Sequence, residues 1–301
     1  MTDHRLLATV LPPRRRQRGL AGRLLGQPRF VAGAVLVVLF VGIALLAEIW
    51  TPWPVEGIFM KHRLLPPSLE HWLGTDPLGR DIASLLMAGA ASSLLAGAIS
   101  VSLGLLAGAL LGLLAAMRGG WLDEIIMRAA DFSFAFPAIL LATILAAASE
   151  SGPGLDIAIL AIALAMIPTF TRVTRASAGV IWQMEYIAAA RAAGRSEWHI
   201  ALRHVLPNLA SPLIVQATLQ FSIAILAESA LSYLGLGVQP PAPSWGRMLS
   251  EAQSMIFTAP ELAFYPGAAI VLAVMGLNLL GDGLRDALDP RLAPVRRRPL
   301  A

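Results

Sequence analysis

The 301-residue chain has no cysteine, one lysine, five histidines and only 14% charged residues, and each shortage closes a branch of chemistry. Without thiols there is no disulfide framework, zinc ribbon, thiolate nucleophile or iron–sulfur cluster. The sole lysine, Lys61, stands in FMKHRLL, so the phosphate loop G-x-x-x-x-G-K-[ST] is absent and nucleotide hydrolysis by that route belongs to some other polypeptide. His4, His62, His71, His199 and His204 all fall outside the long apolar runs. That leaves no Ser/His dyad at membrane depth, and with no H-E-x-x-H or paired Asp motif an intramembrane protease is disfavoured. A water-soluble globule averages about 25% charged residues, which 14% charged and 56% hydrophobic do not resemble.

What the chain does have is apolar sequence in long runs. A bilayer core of about 30 Å takes roughly 20 helical residues, and six stretches approach that length: 30–50, 88–117, 125–148, 155–170, 209–236 and 263–280. Hydrocarbon offers backbone amides no partner, and these runs lack the two-residue alternation of a barrel, so the fold class is an all-α membrane protein with six transmembrane helices. Gly104, Gly108 and Gly112 recur every fourth residue, a spacing that lets another helix backbone approach closely. If the spans alternate in direction, 19 of the 23 basic residues lie on one side and four, Lys61, Arg63, Arg80 and Arg247, on the other. The positive-inside rule then puts both termini in the cytoplasm. The basicity is read as topology and contact with anionic lipid of the bilayer, not as nucleic-acid binding. The first run follows a basic segment, but its length and the lack of an A-x-A spacing at 44–47 mark a retained anchor. The chain divides into a basic tail at 1–29, a first span with its external loop at 30–87, a five-span core at 88–284 that includes a cytoplasmic loop at 172–208, and a second tail at 285–301.

That cytoplasmic loop reads WQMEYIAAARAAGRSEWHIALRHVLPN from Trp182 and predicts two short helices. The first, over 182–193, ends at Gly194, which suits a left-handed cap. Ser196 caps the second, which Pro207 interrupts just before the fifth span. Tyr186, Ala189, Ala190 and Ala193 form a small apolar face that another protein, or the lipid interface, can meet. Among charges near the spans, Arg128 and Asp131 are spaced to pair on one face, and Asp282, Arg285, Asp286 and Asp289 to form an ion-pair cluster. Glu48 and Glu228 fall toward external span ends, where water is near. Gln216, Gln220, Ser222 and Glu228 are candidates to line a passage, or else to bond neighbouring helices. Ser244 starts an external helix carrying Trp245, Met248 and Phe257.

Four segments in order resemble a known family, the inner-membrane permease subunits of ATP-binding cassette importers of the dipeptide, oligopeptide and nickel class. They are HWLGTDPLGRDIASLL from His71, the loop just quoted, ESALSYLGLGVQPPAPSWGRML from Glu228, and NLLGDGLRDALDPRL from Asn278. The resemblance covers nearly the whole chain and implies the type I importer permease fold. It implies that the elbow docks on an ATPase through Ala189, Ala190, Gly194, Leu206 and Pro207, with Glu185, Tyr186 and Arg191 alongside. The superfamily often has Glu where this chain has Ala188, and Glu185, almost one turn earlier, is the expected replacement contact. Also implied are a homologous permease partner in a heterodimer, two ATPase subunits holding ATP and Mg, and an external solute-binding protein docking near Gly74, Asp76, Arg80, Asp81 and Trp245. No cofactor or metal is expected on this chain, and the expected location is the bacterial inner membrane. Short peptides are the first expectation for cargo, glutathione-like peptides or nickel the second. An ion-coupled carrier is the remaining alternative, disfavoured because no inverted repeat is visible.

Overall fold

The computed structural model describes residues 22, 24–150 and 152–288. Among them the chain is helical, with an isolated bridge between Thr75 and Asp81 in place of any strand. Helix α1 (Pro28–Ala47) opens on a proline, whose missing N–H is no loss in a first turn. Helix α2 (Ile82–Arg118) starts earlier than the apolar run because Asp81 caps it: its carboxylate accepts from Ser84 N and Ser84 Oγ, both at 2.8 Å, and fills an orphan amide.

Helix α5 (Leu155–Trp182) lies along α2 at the glycine stripe. A Cβ placed on Gly108 would stand 2.5 Å from Phe170 Cβ, and one on Gly112 2.4 Å from the Thr171 carbonyl oxygen. Only glycine permits that approach. The predicted fourth span stopped at 170, yet the helix continues to Trp182 with Pro168 inside it. Hydropathy falls at Arg172 and Arg175, but their guanidiniums reach back to Asp131 (2.5 Å) and Asp123 (2.6 Å). The first third of the predicted loop is therefore the end of a rigid rod.

Those carboxylates belong to α3 (Gly120–Phe134), which with α4 (Ala138–Ala148) replaces the predicted third span. The two are bent by 88°. Pro137 removes a backbone donor and forces Phe136 out of the helical region, so a continuous rod was never available. The expected Arg128–Asp131 pair does not form. Asp131 is taken by Arg172, whose guanidinium also sits 4.3 Å over the Phe134 ring, while Arg128 lies 3.6 Å from Glu124.

The remaining elements are α6 (Glu185–Ala192), α7 (Glu197–Ile200), a π-helical turn (Ala201–Val205), α8 (Leu206–Tyr233), α9 (Trp245–Ala252), a 3-10 turn (Gln253–Met255) and α10 (Glu261–Leu288). Among the described residues five helices are long and apolar enough to cross a membrane, and the bent pair makes a sixth if it counts as one span. Asp282, Arg285 and Asp286 make no ion pair among the described residues, and Asp289 lies outside them. Hydrated charges gain little by pairing at the cost of side-chain freedom. Two apolar cores result. One gathers α2, α5, the elbow and α8, and the other gathers α1, α9 and α10 at the end where α2 begins.

Candidate functional site

The elbow between α5 and α8 is assembled from the inside outward. Ile187, Ile200, Val205 and Leu209 are fully buried and tie α6, α7 and the π turn to the first core. Four such side chains, at about 1.5–3 kcal/mol of transfer free energy each, make the elbow part of the body of the molecule. With Ile187 pointing in, Glu185, Tyr186, Ala188 and Ala189 point out, while Ala190 is half-buried against the core. The predicted apolar face is therefore split between the outside and the interior.

Several details agree with the sequence expectation and others correct it. The first helix begins at Glu185, because Trp182 is the last residue of α5. Gly194 takes φ +75°, and Arg195 N donates to the Ala190 carbonyl at 3.2 Å, closing the helix in the manner of a left-handed cap. Ser196 Oγ accepts from His199 N at 3.3 Å. Arg191, expected beside an ATPase, is exposed. It also donates to both oxygens of Glu197 (2.8 and 3.3 Å) and lies 5.3 Å over Trp182, bracing α6 against α7. Glu197 had not been singled out, because a pair six residues apart across a glycine turn follows no helical spacing.

Pro207 does not break the second helix. From Glu197 the chain runs helically to Tyr233, and the disturbance appears one turn earlier, where Leu206 N donates to the Ala201 carbonyl in an i→i−5 bond. A proline ring clashes with the carbonyl four residues back and supplies no N–H for it. Widening the turn makes room, and Asn208 Nδ2 donates to the His204 carbonyl at 2.6 Å. Leu206 and Pro207 remain exposed beside it, and Tyr186 meets the His204 ring at 6.5 Å.

At the opposite end, Arg80 donates to Asp76 (2.6 Å) and Glu251 (2.5 Å) and joins the loop before α2 to α9. Burial works against its charge, but Asp76 and Glu251 outweigh that and hold the guanidinium above its usual range. Together with Met248, Leu85 and Leu262 these residues line a cavity of about 290 Å³. Glu251 was missed, although Arg247 four residues before it gives a helical ion-pair spacing. Gly74 lends its carbonyl to Ile82 N at 3.1 Å. Asp81 and Trp245 are buried, so neither side chain reaches the surface in this conformation. Asp81 accepts from Ser84 and meets His71 Nδ1 at 3.0 Å, while Trp245 Nε1 donates to the Leu86 carbonyl at 3.1 Å and its ring stands edge-on to Phe40. Phe257, past the 3-10 turn, is 98% exposed.

Of the passage candidates, Gln216 is half-buried and Gln220 buried. Ser222 Oγ donates to Asn278 Oδ1 at 2.8 Å and bonds α8 to α10. Glu228, expected toward a wet span end, is fully buried, and its Oε1 accepts from Ser232 Oγ at 2.7 Å. Among the described residues no group of three or more His, Cys, Asp or Glu is placed to hold a metal.

Comparison with known proteins adds four findings. Residues 104–294 match the family described as binding-protein-dependent transport system inner membrane component. The chain is 45% identical over 271 residues to the glutathione transport system permease protein GsiD of Pectobacterium atrosepticum, covering 90% of this chain and 89% of that one. It is 43% identical over 262 residues to the dipeptide transport system permease protein DppC of Alkalihalophilus pseudofirmus, covering 87% and 86%. In fold it is similar to an inward-facing structure of the MetNI methionine ABC transporter, with a TM-score of 0.58 at 19% identity over 68% of this chain and 97% of that one.

Proposed function

The chain belongs to the family of binding-protein-dependent transport system inner membrane components, and from that premise we propose that it is one half of the membrane channel of an ATP-driven importer of short peptides. It acts as conduit and lever. Hydrolysis takes place on two separate ATPase subunits, which hold ATP and Mg, and a homologous permease completes the channel. An external solute-binding protein delivers the cargo at the end where α2 begins, so that the elbow lies in the cytoplasm of a bacterial inner membrane.

The observation that carries this reading is the elbow. Its outer face offers Glu185, Tyr186, Ala188 and Ala189 to a partner, while its inner face is locked by Ile187 to α5 and α8. A force applied outside is passed to two membrane-crossing rods, and their rocking alternates access between inward-open and outward-open states. The 45% identity to a glutathione permease favours a second reading, in which the peptide is the γ-glutamyl tripeptide itself. Reconstituting the chain with its partner subunits in vesicles and measuring uptake of labelled dipeptide and of labelled glutathione tests both. Accumulation that needs ATP and survives a proton uncoupler supports the importer. Uptake without ATPase subunits contradicts it.

A further inference from the structure

The loop between α1 and α2 carries a row of hydrogen bonds that runs from a half-buried imidazole to the cap of α2. His62 ends a 3-10 turn (Met60–His62), and its Nδ1 lies 3.2 Å from His71 Nε2. His71 is buried, and its Nδ1 stands 3.0 Å from Asp81 Oδ1. Asp81 Oδ2 accepts from Ser84 N and Ser84 Oγ, and that hydroxyl in turn accepts from Trp53 N at 2.9 Å. The centroid of the Trp53 ring lies 4.7 Å from that of His71 and 5.8 Å from that of His62. The charges about the pair are Asp81 at the cap, Lys61 and Arg63 on either side of His62, and Glu70 next to His71, whereas Arg80 is held by Asp76 and Glu251.

Ser84 Oγ has one hydrogen, and since this oxygen accepts from Trp53 N the hydrogen goes to Asp81. A carboxylate only accepts, so His71 Nδ1 carries a hydrogen too. Between His71 Nε2 and His62 Nδ1 there is then room for a single hydrogen, which in the neutral pair belongs to His62. A first added proton keeps the bond, because either ring can be the charged donor and Asp81 balances the charge. A second puts an N–H on both facing nitrogens, 3.2 Å apart, and the bond gives way to repulsion between two cations. His62 is the ring free to leave, being half-buried and flanked by Lys61 and Arg63, whose charges favour its retreat into water. We propose that His62 and His71 form an acid-sensitive latch, in which double protonation expels the His62 ring and loosens the 3-10 turn from the cap of α2. Imidazole changes charge between about pH 5 and 8. The rest of the loop stays tied, by Thr75 Oγ1 donating to the His62 carbonyl and by Leu64 N donating to the Asp76 carbonyl at 3.2 Å. In the importer proposed above this loop lies on the outer side, so external acid loosens the surface that the solute-binding protein meets. That consequence rests on the importer reading, and the latch does not.

The test uses the full-length chain assembled with thiol-free partner subunits. This chain has no cysteine, so Met60→Cys, at an exposed position in the turn, takes a single nitroxide label. Its mobility is read by electron paramagnetic resonance with neither ATP nor peptide present. The mobile fraction should rise reversibly by about threefold between pH 8 and pH 5. His62→Asn, whose amide falls where Nδ1 does and can donate or accept without ever charging, should keep the turn closed across that range. His62→Gln carries the same comparison if the Asn variant fails to assemble. An unchanged spectrum in the labelled parent overturns the proposal. An equal rise in the uncharged variant overturns it too, since carboxylates would then be the source of the movement. Affinity for the solute-binding protein, measured in parallel, should fall in acid severalfold more for the parent than for the variant. Equal falls beside a latch that opens would contradict the link to delivery and leave the latch standing.

Discussion

Glu185 is exposed at the first position of α6, where a carboxylate is favoured by the helix dipole and free to meet a partner. A charged hydrogen bond to an ATPase is worth about 1.5–3 kcal/mol, so Glu185→Ala should weaken coupling roughly ten- to a hundredfold. The measurement is peptide-stimulated ATPase activity at fixed subunit concentrations. Ala188→Glu, which supplies the acid at the position where the family often carries it, should restore the lost stimulation, whereas unchanged activity in Glu185→Ala removes the residue from the interface. Gly112 makes a separate residue-scale expectation. A methyl there meets the Thr171 carbonyl oxygen at 2.4 Å, and overpacking of this kind costs about 1–3 kcal/mol. Gly112→Ala should therefore lower the melting temperature of the complex, while Gly119→Ala, with nothing within 4 Å of its added carbon, should lack any packing clash and show only the backbone cost of its φ of +62°.

Among the elements, the π turn is the one the sequence concealed. Pro207 was visible and its disruption foreseeable, but the disruption lies ahead of it, in the Leu206–Ala201 bond, and leaves the rod intact. Pro207→Ala restores the missing amide, so backbone exchange over 201–206 should slow in hydrogen-exchange mass spectrometry, and unchanged exchange would separate the π turn from the proline. The same limit explains the other corrections. Hydropathy located α1, α8 and α10 because each contains a long stretch that is mostly apolar. It cut α5 short because it scores Arg172 and Arg175 as solvent-seeking, without the Asp131 and Asp123 that receive them. It also passed over the 88° bend, since Phe136 and Pro137 are apolar whichever way they turn the chain. Caps at Gly194, Ser196 and Ser244 were legible because capping is decided within four residues. The burial of Glu228 and Trp245 was not, since it depends on Ser93, Leu86 and Phe40 from other helices.

On the scale of the whole molecule, the account requires two ends with different partners: an elbow that an ATPase grips, and a loop end with exposed Phe257 and the Arg80 cluster that receives a solute-binding protein. The absence of cysteine makes this directly accessible, because any single introduced thiol is the only one in the chain. Ala189→Cys and Phe257→Cys, placed in the assembled transporter and treated with a short thiol cross-linker, form the decisive pair. The account predicts that position 189 cross-links to the ATPase subunit in a yield that changes when ATP is added, and that position 257 never does. Capture of the ATPase from position 257, with position 189 left unreacted, would contradict it.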